Sequence, residues 1–362
     1  MLYALQTLPG LGELAWLEAQ RRLGGDDGQP PKLVGMRAVP GRNDLVLIDH
    51  RGGPRPLLTL RTSEDAFVVA ARGFKVAPDA RGLRQIHAAV YHSDSAEAAV
   101  KLWRRASGFR PQGVSFRVIA RMVGTQKFMR REVGRAVADA VKDGWPGRWT
   151  LVEDDADLEI WATLVEHELF CTLRLSDASM RQRSKTYHLP ASLRPALAAA
   201  MVGLTDPEVD DVFLDPMAGA GTILVERAAA GKFAEIHGGD ISGEALRAMQ
   251  ENLHGVRGEI YVSRWDARKL PLDDASVDKV AVNLPFGKQV SEEAELPGLY
   301  REVLAELVRV VRPGGRVVVL TGDYRLLETA RNSAARRLRP GPRHRVIVLG
   351  QAATICEFTR GN

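Results

Sequence analysis

The chain has 362 residues, 45% hydrophobic and 26% charged, which suits two or three soluble globular domains better than one. No apolar run approaches the roughly 18 residues needed to span a membrane. The apolar opening Met1–Arg22 carries an early Glu13 and no basic leader, so it reads as folded structure rather than a signal peptide. Cys171 and Cys356 stand alone, near no His or Cys cluster, which argues against a disulfide framework and against a metal site. A reducing cytoplasm is the expected compartment. The net charge of +5 matters less than its distribution: residues 101–150 hold 12 Lys/Arg against 3 acids, and residues 201–300 hold 9 against 18. Six arginines between Arg331 and Arg345 have no acid among them. A basic block beside an acidic one suggests that one part holds a polyanion while another does chemistry, although both blocks can also be plain solvated faces.

In chain order, Met1–Leu8 reads as a strand and Gly12–Leu23 as an amphipathic helix. Leu33–Val39 and Asp44–Ile48 read as a hairpin about Pro40-Gly41-Arg42-Asn43. Ser115–Met122 is a strand, followed by a helix whose apolar face is Val133, Ala136, Val137, Ala140 and Val141. Lys127, Arg130, Arg131 and Arg135 lie at or just before its start, off the apolar stripe, and are the expected polyanion-binding residues. Leu158–Val165 and Leu169–Leu175 are further strands. Asp177–Pro195 connects the halves.

From residue 201 the pattern becomes alternating strand and helix. Asp211–Asp215 leads through the glycine turn Ala218-Gly219-Ala220-Gly221 into a helix from Thr222 to Ala230. Strands follow at Phe233–Asp240, Glu259–Trp265, Val277–Asn283 and Arg316–Thr321, with Ser242 as a helix cap. A helix carrying Leu299, Val303, Leu307 and Val310 is stopped by Pro313-Gly314-Gly315. Arg345–Gly350 and Thr354–Thr359 read as a terminal hairpin turning at Gln351-Ala352-Ala353. The alternation predicts an α/β fold with a parallel, doubly wound sheet and an added antiparallel edge.

Chemistry-bearing residues gather at the strand ends. Asp215, Pro216, Ala218, Gly219, Gly221 and Thr222 form a strand-to-helix turn where missing side chains let a ligand approach the backbone. Asp240, followed by Ile241, ends the next strand, where a carboxylate can take two ribose hydroxyls. Asp266, followed by Ala267, ends the third and can accept from an adenine amine. Turn glycines and capping acids alone could produce parts of this set, but not readily three acids at three successive strand ends. The turn lacks the third glycine of the dinucleotide fingerprint and has no phosphate-loop lysine, so a nicotinamide cofactor or a nucleoside triphosphate fits poorly. Asn283-Leu284-Pro285-Phe286-Gly287 follows the fourth strand. The Asn283 side-chain carbonyl and the Leu284 backbone carbonyl could accept the two N–H groups of an exocyclic base amine, Pro285 would stiffen the loop, and Phe286 would offer a stacking face.

These motifs resemble the THUMP-containing RNA methyltransferases, in particular those that form N2-methylguanosine in tRNA. DPMAGAGT is similar to their methyl-donor motif and NLPFGK to their catalytic motif. Arg183-x-x-x-Tyr187 with Pro190-Ala191-Ser192-Leu193-Arg194-Pro195 is similar to their link into the catalytic domain. Thr7–Leu14 and Ser115–Val141 resemble their N-terminal modules. The resemblance implies a ferredoxin-like domain at 1–75, a THUMP-type RNA-binding domain at 76–176, a link at 177–200 and a Rossmann-like methyltransferase domain at 201–362. It further implies S-adenosylmethionine bound by Asp215, Gly219, Gly221, Asp240 and Asp266, Asn283 as the amine acceptor, Phe286 as the stacking residue, and tRNA as partner. Leu284 replaces the first proline of the Asn-Pro-Pro-Tyr form, which favours the tRNA guanine branch. Gln289 stands where relatives often have a basic residue. Methylation of rRNA guanine or adenine N6, or a vestigial domain in an RNA-binding protein, are the rival expectations.

Overall fold

A computed structural model describes residues 1–24, 29–39, 43–183, 187, 189, 192–286 and 295–362. The turn expected at Pro40-Gly41-Arg42, the link residues Pro190 and Ala191, and Gly287 and Gln289 after the catalytic motif lie outside the described residues. The chain divides into two units, Met1–Arg181 and Gln182–Asn362.

In the first unit, β1 (Leu2–Thr7), α1 (Gly12–Arg22), β2 (Lys32–Ala38), β3 (Asp44–Asp49) and β4 (Asp65–Gly73) are followed by α2 (Ala80–Tyr91) and α3 (Ala96–Ser107). Then come β5 (Gly113–Val123), α4 (Arg130–Gly144), β6 (Arg148–Leu151), β7 (Leu158–Val165) and β8 (Glu168–Arg174). All eight strands share one sheet, ordered β2-β3-β1-β4-β8-β7-β5-β6. Strand alternation sorts its two faces. Tyr3 and Leu5 of β1 join the large core with Ile86, Val100, Val133 and Val137 from the helices, while Ala4 points to a smaller cluster with Phe67, Trp161 and Phe170. Residues on both sides of position 75 belong to this sheet, because β4 pairs with β8 from Phe67↔Arg174 to Gly73↔Leu169. The short α5 (Ser179–Gln182) ends the unit and enters the next.

The second unit runs α6 (Pro195–Leu204), β9 (Val212–Asp215), α7 (Thr222–Ala230), β10 (Glu235–Asp240), α8 (Gly243–Leu253), β11 (Glu259–Arg264) and β12 (Val277–Asn283). It continues with α9 (Leu296–Val310), β13 (Val311–Thr321), α10 (Tyr324–Ala334), β14 (Leu338–Val348) and β15 (Gln351–Arg360). The sheet order is β11-β10-β9-β12-β13-β15-β14. Strands β9 to β13 pair in parallel, and β15 runs antiparallel to both its neighbours. The expected α/β class with an antiparallel edge stands. Helix α9 buries Tyr300, Val303, Leu304, Leu307 and Val310 against this sheet.

Two details differ from the sequence reading. Pro313-Gly314-Gly315 lies inside the span of β13, where the pairing jumps from Val277↔Val311 to Lys279↔Arg316. The strand absorbs the helix-stopping residues as a bulge. The terminal hairpin turns at Leu349 and Gly350, both left-handed (φ 50° and 81°), so Gln351–Ala353 is paired strand instead of turn. Two consecutive positive φ values are what a tight two-residue hairpin needs, and Leu349 gives no sequence sign of them.

Candidate active site

Parallel neighbours β9, β10 and β12 end on one edge of the sheet in Asp215, Asp240 and Asn283. The turn after β9 is built by backbone hydrogen bonds: Gly221 N–H donates to Ala218 O at 2.7 Å, and Ala218 N–H to Gly239 O at 2.9 Å. Gly221 is left-handed (φ 75°), and a Cβ there would sit 2.8 Å from the Met249 side chain. Neither condition admits a larger residue.

The Asp240 carboxylate holds this turn in place. One oxygen accepts from Gly219 N–H at 3.0 Å and the other from Ser242 N–H at 2.9 Å, leaving lone pairs on both for further donors. Asp215 is 1% exposed and accepts from Met217 N–H at 3.2 Å. Burial pushes its carboxyl well above the usual carboxylate range, the Met217 hydrogen bond opposes the shift, and the nearby Asp240 charge adds to it. Asp266 lies just past β11 and is gripped by Arg268 through Nε at 3.0 Å and Nη2 at 2.6 Å, which holds its carboxyl below the usual range.

Two cavities open here. One, of about 490 Å³, is lined by Pro216, Met217, Asp240, Ile241, Asp266 and Ala267, with Arg268, Leu296, Leu299 and Glu302. The other, of about 170 Å³, is lined by Asp215, Ala218, Gly219, Thr222 and Asn283, with Ser192 and Leu193 from the link. Met217 lines both. The larger has the volume of a small-molecule site. Of the residues read from sequence as ligand-binding, all but Gly221 line one cavity or the other. Met217, Arg268 and the α9 residues were not read from sequence. Met217 lies within the quoted motif and Arg268 two residues past Asp266, so proximity was the available signal. The link itself is tied to this unit. Arg183 pairs with Glu226 at 2.8 Å. The Tyr187 backbone exchanges hydrogen bonds with Asn252, which also donates to Ala220 O at 2.8 Å in the glycine turn.

The Asn283 side-chain oxygen is buried and has no hydrogen-bond partner among the described residues. The next residue is fixed, with Leu284 wholly buried and its N–H donating to Leu320 O at 3.0 Å. Tyr300 from α9 donates to Pro285 O at 2.9 Å, and its hydroxyl lies 3.0 Å from Thr321 Oγ1. Burial pushes the Tyr300 pKa up to about 12, so its hydroxyl stays a donor. Phe286 is 6% exposed and packs where a Cβ on Gly322 would come within 2.4 Å of its ring. The sequence reading gives this ring as a stacking face; in the structure it is largely buried and wedges the loop into the core.

In the other unit, Lys127, Arg130, Arg131 and Arg135 are all exposed. The acids nearest in sequence are committed elsewhere. Glu132 accepts from Met129 N–H at 2.7 Å as a helix cap, and Asp139 pairs with Lys142 at 2.9 Å.

Residues 182–346 match the model of UPF0020, an RMKL-like methyltransferase domain. Over 235 residues the chain is 29% identical to the tRNA (guanine(6)-N(2))-methyltransferase THUMP3 of Mus musculus, covering 61% of this chain and 46% of that protein. Over 216 residues it is 30% identical to the U6 snRNA (guanine-N(2))-methyltransferase THUMPD2 of Homo sapiens, covering 58% and 41%. The chain thus spans about half the length of these relatives. The crystal structure of TrmN from Thermus thermophilus superposes with a TM-score of 0.77 over 99% of both chains at 25% identity.

Proposed function

We propose, from the premise that residues 182–346 are an RMKL-like methyltransferase domain, that this protein methylates the exocyclic N2 amine of a guanosine in tRNA, using S-adenosylmethionine. The observation that carries the reading is the buried, unpartnered side-chain oxygen of Asn283 beside the smaller cavity. A buried acceptor left unpaired costs about 1–3 kcal/mol, and an amine N–H would satisfy it.

The donor fits the residues present. Open space lies over Gly219, and Asp240 has lone pairs to spare for ribose hydroxyls. Asp266, oriented by Arg268, is an acceptor for an adenine amine. Pro216, Ile241 and Ala267 supply apolar walls. When bound, S-adenosylmethionine supplies an electrophilic methyl group. Asn283 would hold one N–H of the base amine and the Leu284 carbonyl the other, turning the nitrogen lone pair out of the ring and stabilising the positive charge that grows on it. The Leu284–Leu320 hydrogen bond and the Tyr300–Pro285 contact would fix those acceptors before the base arrives.

Arg130, Arg131, Arg135 and Lys127 would hold RNA phosphates. We assign residues 1–75 to a ferredoxin-like module and 76–176 to a THUMP-type module, both contributing strands to one sheet, and assign the protein to the cytoplasm. No helix among the described residues is long and apolar enough to cross a membrane. Guanine N2 in another RNA is the second reading, favoured by the likeness to the U6 snRNA enzyme.

Nucleoside mass spectrometry of tRNA from a strain lacking the gene tests the proposal, with rRNA and small RNAs run alongside. Loss of N2-methylguanosine from one tRNA position supports it. Loss from another RNA moves the substrate, and intact N2-methylguanosine throughout overturns it.

A further inference from the structure

Five arginines on one edge of the catalytic sheet take no part in the reaction above. Arg336 and Arg337 precede β14, and Arg339, Arg343 and Arg345 lie on it; all five are exposed. Four of the arginines from Arg309 to Arg331, which precede this run closely in the sequence, pair with acids: Arg309 holds Glu306, Arg312 holds Asp278, Arg316 holds Asp206 and Arg331 holds Glu328. The five that follow hold no carboxylate among the described residues, and the sequence offers none between 331 and 345.

The sheet register brings the far part of this edge level with the site, while Arg339 lies lower on the sheet, in the row of Thr359, Arg316 and Lys279. Asn283 lies opposite Leu320, Leu320 opposite Ile355, and Ile355 opposite His344. Thus Arg343 and Arg345 flank the row that contains Asn283, three strand spacings away, or roughly 14 Å. Strand β14 runs in the same direction as β12 and β13, so His344 is level with the carboxyl ends where the cavities open. Arg343 stacks 4.5 Å above the ring of Tyr324, the first residue of α10, which follows the carboxyl end of β13.

We propose that this arginine edge binds the phosphates of the RNA strand flanking the reacting nucleotide. The inference rests on the reading of the protein as an RNA methyltransferase and adds the surface on which its catalytic unit receives the substrate. A charged edge strand also blocks edge-to-edge pairing, but a few charges of either sign serve that purpose. Five cations without one acid exceed it. Over residues 201–300 the sequence has the opposite balance, 9 Lys/Arg against 18 acids, so in this unit β14 offers a concentrated run of cations to a phosphate backbone. Guanidinium groups suit the task because their planar donors can engage two phosphate oxygens at once.

The test uses the full chain and an unmodified tRNA transcript, with two triple variants: Arg339, Arg343 and Arg345 to Gln, and the same three to Glu. Each lost phosphate contact changes the slope of log affinity against log salt by about 0.7–0.9. The Gln variant should therefore flatten the slope by about two units and raise the KM for RNA, with kcat at saturating RNA and S-adenosylmethionine affinity unchanged. The Glu variant, whose edge stays charged, should keep the parent's oligomeric state yet bind tRNA more weakly still. If both variants keep the parent's slope and KM while the parent methylates RNA, the arginines only guard the edge and the inference fails alone. A parent protein that neither binds nor methylates RNA overturns both the inference and the reading beneath it.

Discussion

Asp215 is the residue whose environment most opposes its usual charge. It is buried, and Asp240 stands close enough to add its own repulsion. The folded chain therefore holds the Asp215 proton more tightly than the unfolded chain does. The associated stability is complete below the ordinary carboxylate range and fades as pH rises through the raised value. Asp215→Asn keeps the volume and the acceptor for Met217 N–H but cannot ionise. Its melting temperature relative to the parent should accordingly grow as pH is raised from about 4 to about 8, across and above that range. A difference that stays flat or shrinks with pH would show that Asp215 is not held this way. Asp215, Asp240 and Asn283 were legible in the sequence because each closes a strand, and Asp266 because it follows one by two residues. The burial of Phe286 was not, since the residue that makes room for its ring is Gly322, 36 positions later and outside any motif. The grip of Arg268 on Asp266 likewise depends on a rotamer.

Alternation of strands and helices was readable from apolar spacing, caps and turn glycines, which is why β9 to β12 were found near their true bounds, while β13 begins five residues earlier than expected. The bulge at Pro313–Gly315 was not readable, because it is set by pairing with β12, nor was the turn at Leu349-Gly350, because Leu349 gives no sequence sign of its positive φ. In the first unit, β4 is buried on nearly every residue and so shows no alternation to mark it. One element does more than pack. Helix α9 brings Tyr300 to the loop after β12 through a directed chain: Asp323 N–H donates to Thr321 Oγ1, Thr321 to Tyr300, and Tyr300 to Pro285 O. Tyr300→Phe deletes one hydroxyl and leaves the Pro285 carbonyl unpaired, a loss of about 1–3 kcal/mol. The expected result is a fall in kcat of roughly tenfold, as 1.4 kcal/mol implies, with S-adenosylmethionine affinity unchanged by calorimetry. If the variant loses only melting temperature and keeps kcat, the chain is structural and does not position the loop.

For the molecule as a whole, we assign most RNA capture to the basic block of the first unit and the chemistry to the acidic second. The extent of the charge asymmetry was readable in the sequence; the continuous eight-stranded sheet of the first unit was not, because it depends on β4 pairing with β8 about a hundred residues away. Arg130 and Arg131 occupy the first turn of α4, where the helix dipole disfavours cations. With Glu132 and Asp139 engaged elsewhere, these cations are available to an external anion. Replacing Arg130, Arg131 and Arg135 by Ala should flatten the tRNA salt slope by about two units and leave S-adenosylmethionine affinity alone. An unchanged slope would return α4 to the status of a solvated face.

The central claim is that the Asn283 carbonyl acts on a guanine amine in RNA. Its most direct test is a single-turnover reaction of purified protein, unmodified tRNA and S-adenosylmethionine carrying an isotope-labelled methyl group, followed by nucleoside mass spectrometry. The parent should place the label in N2-methylguanosine. Asn283→Ala should slow that step by on the order of 10²–10³-fold, as removal of a preorganised polar partner does elsewhere, with both ligands still bound. Label in a different nucleoside, or a variant that reacts at nearly the parent's rate, would contradict the account.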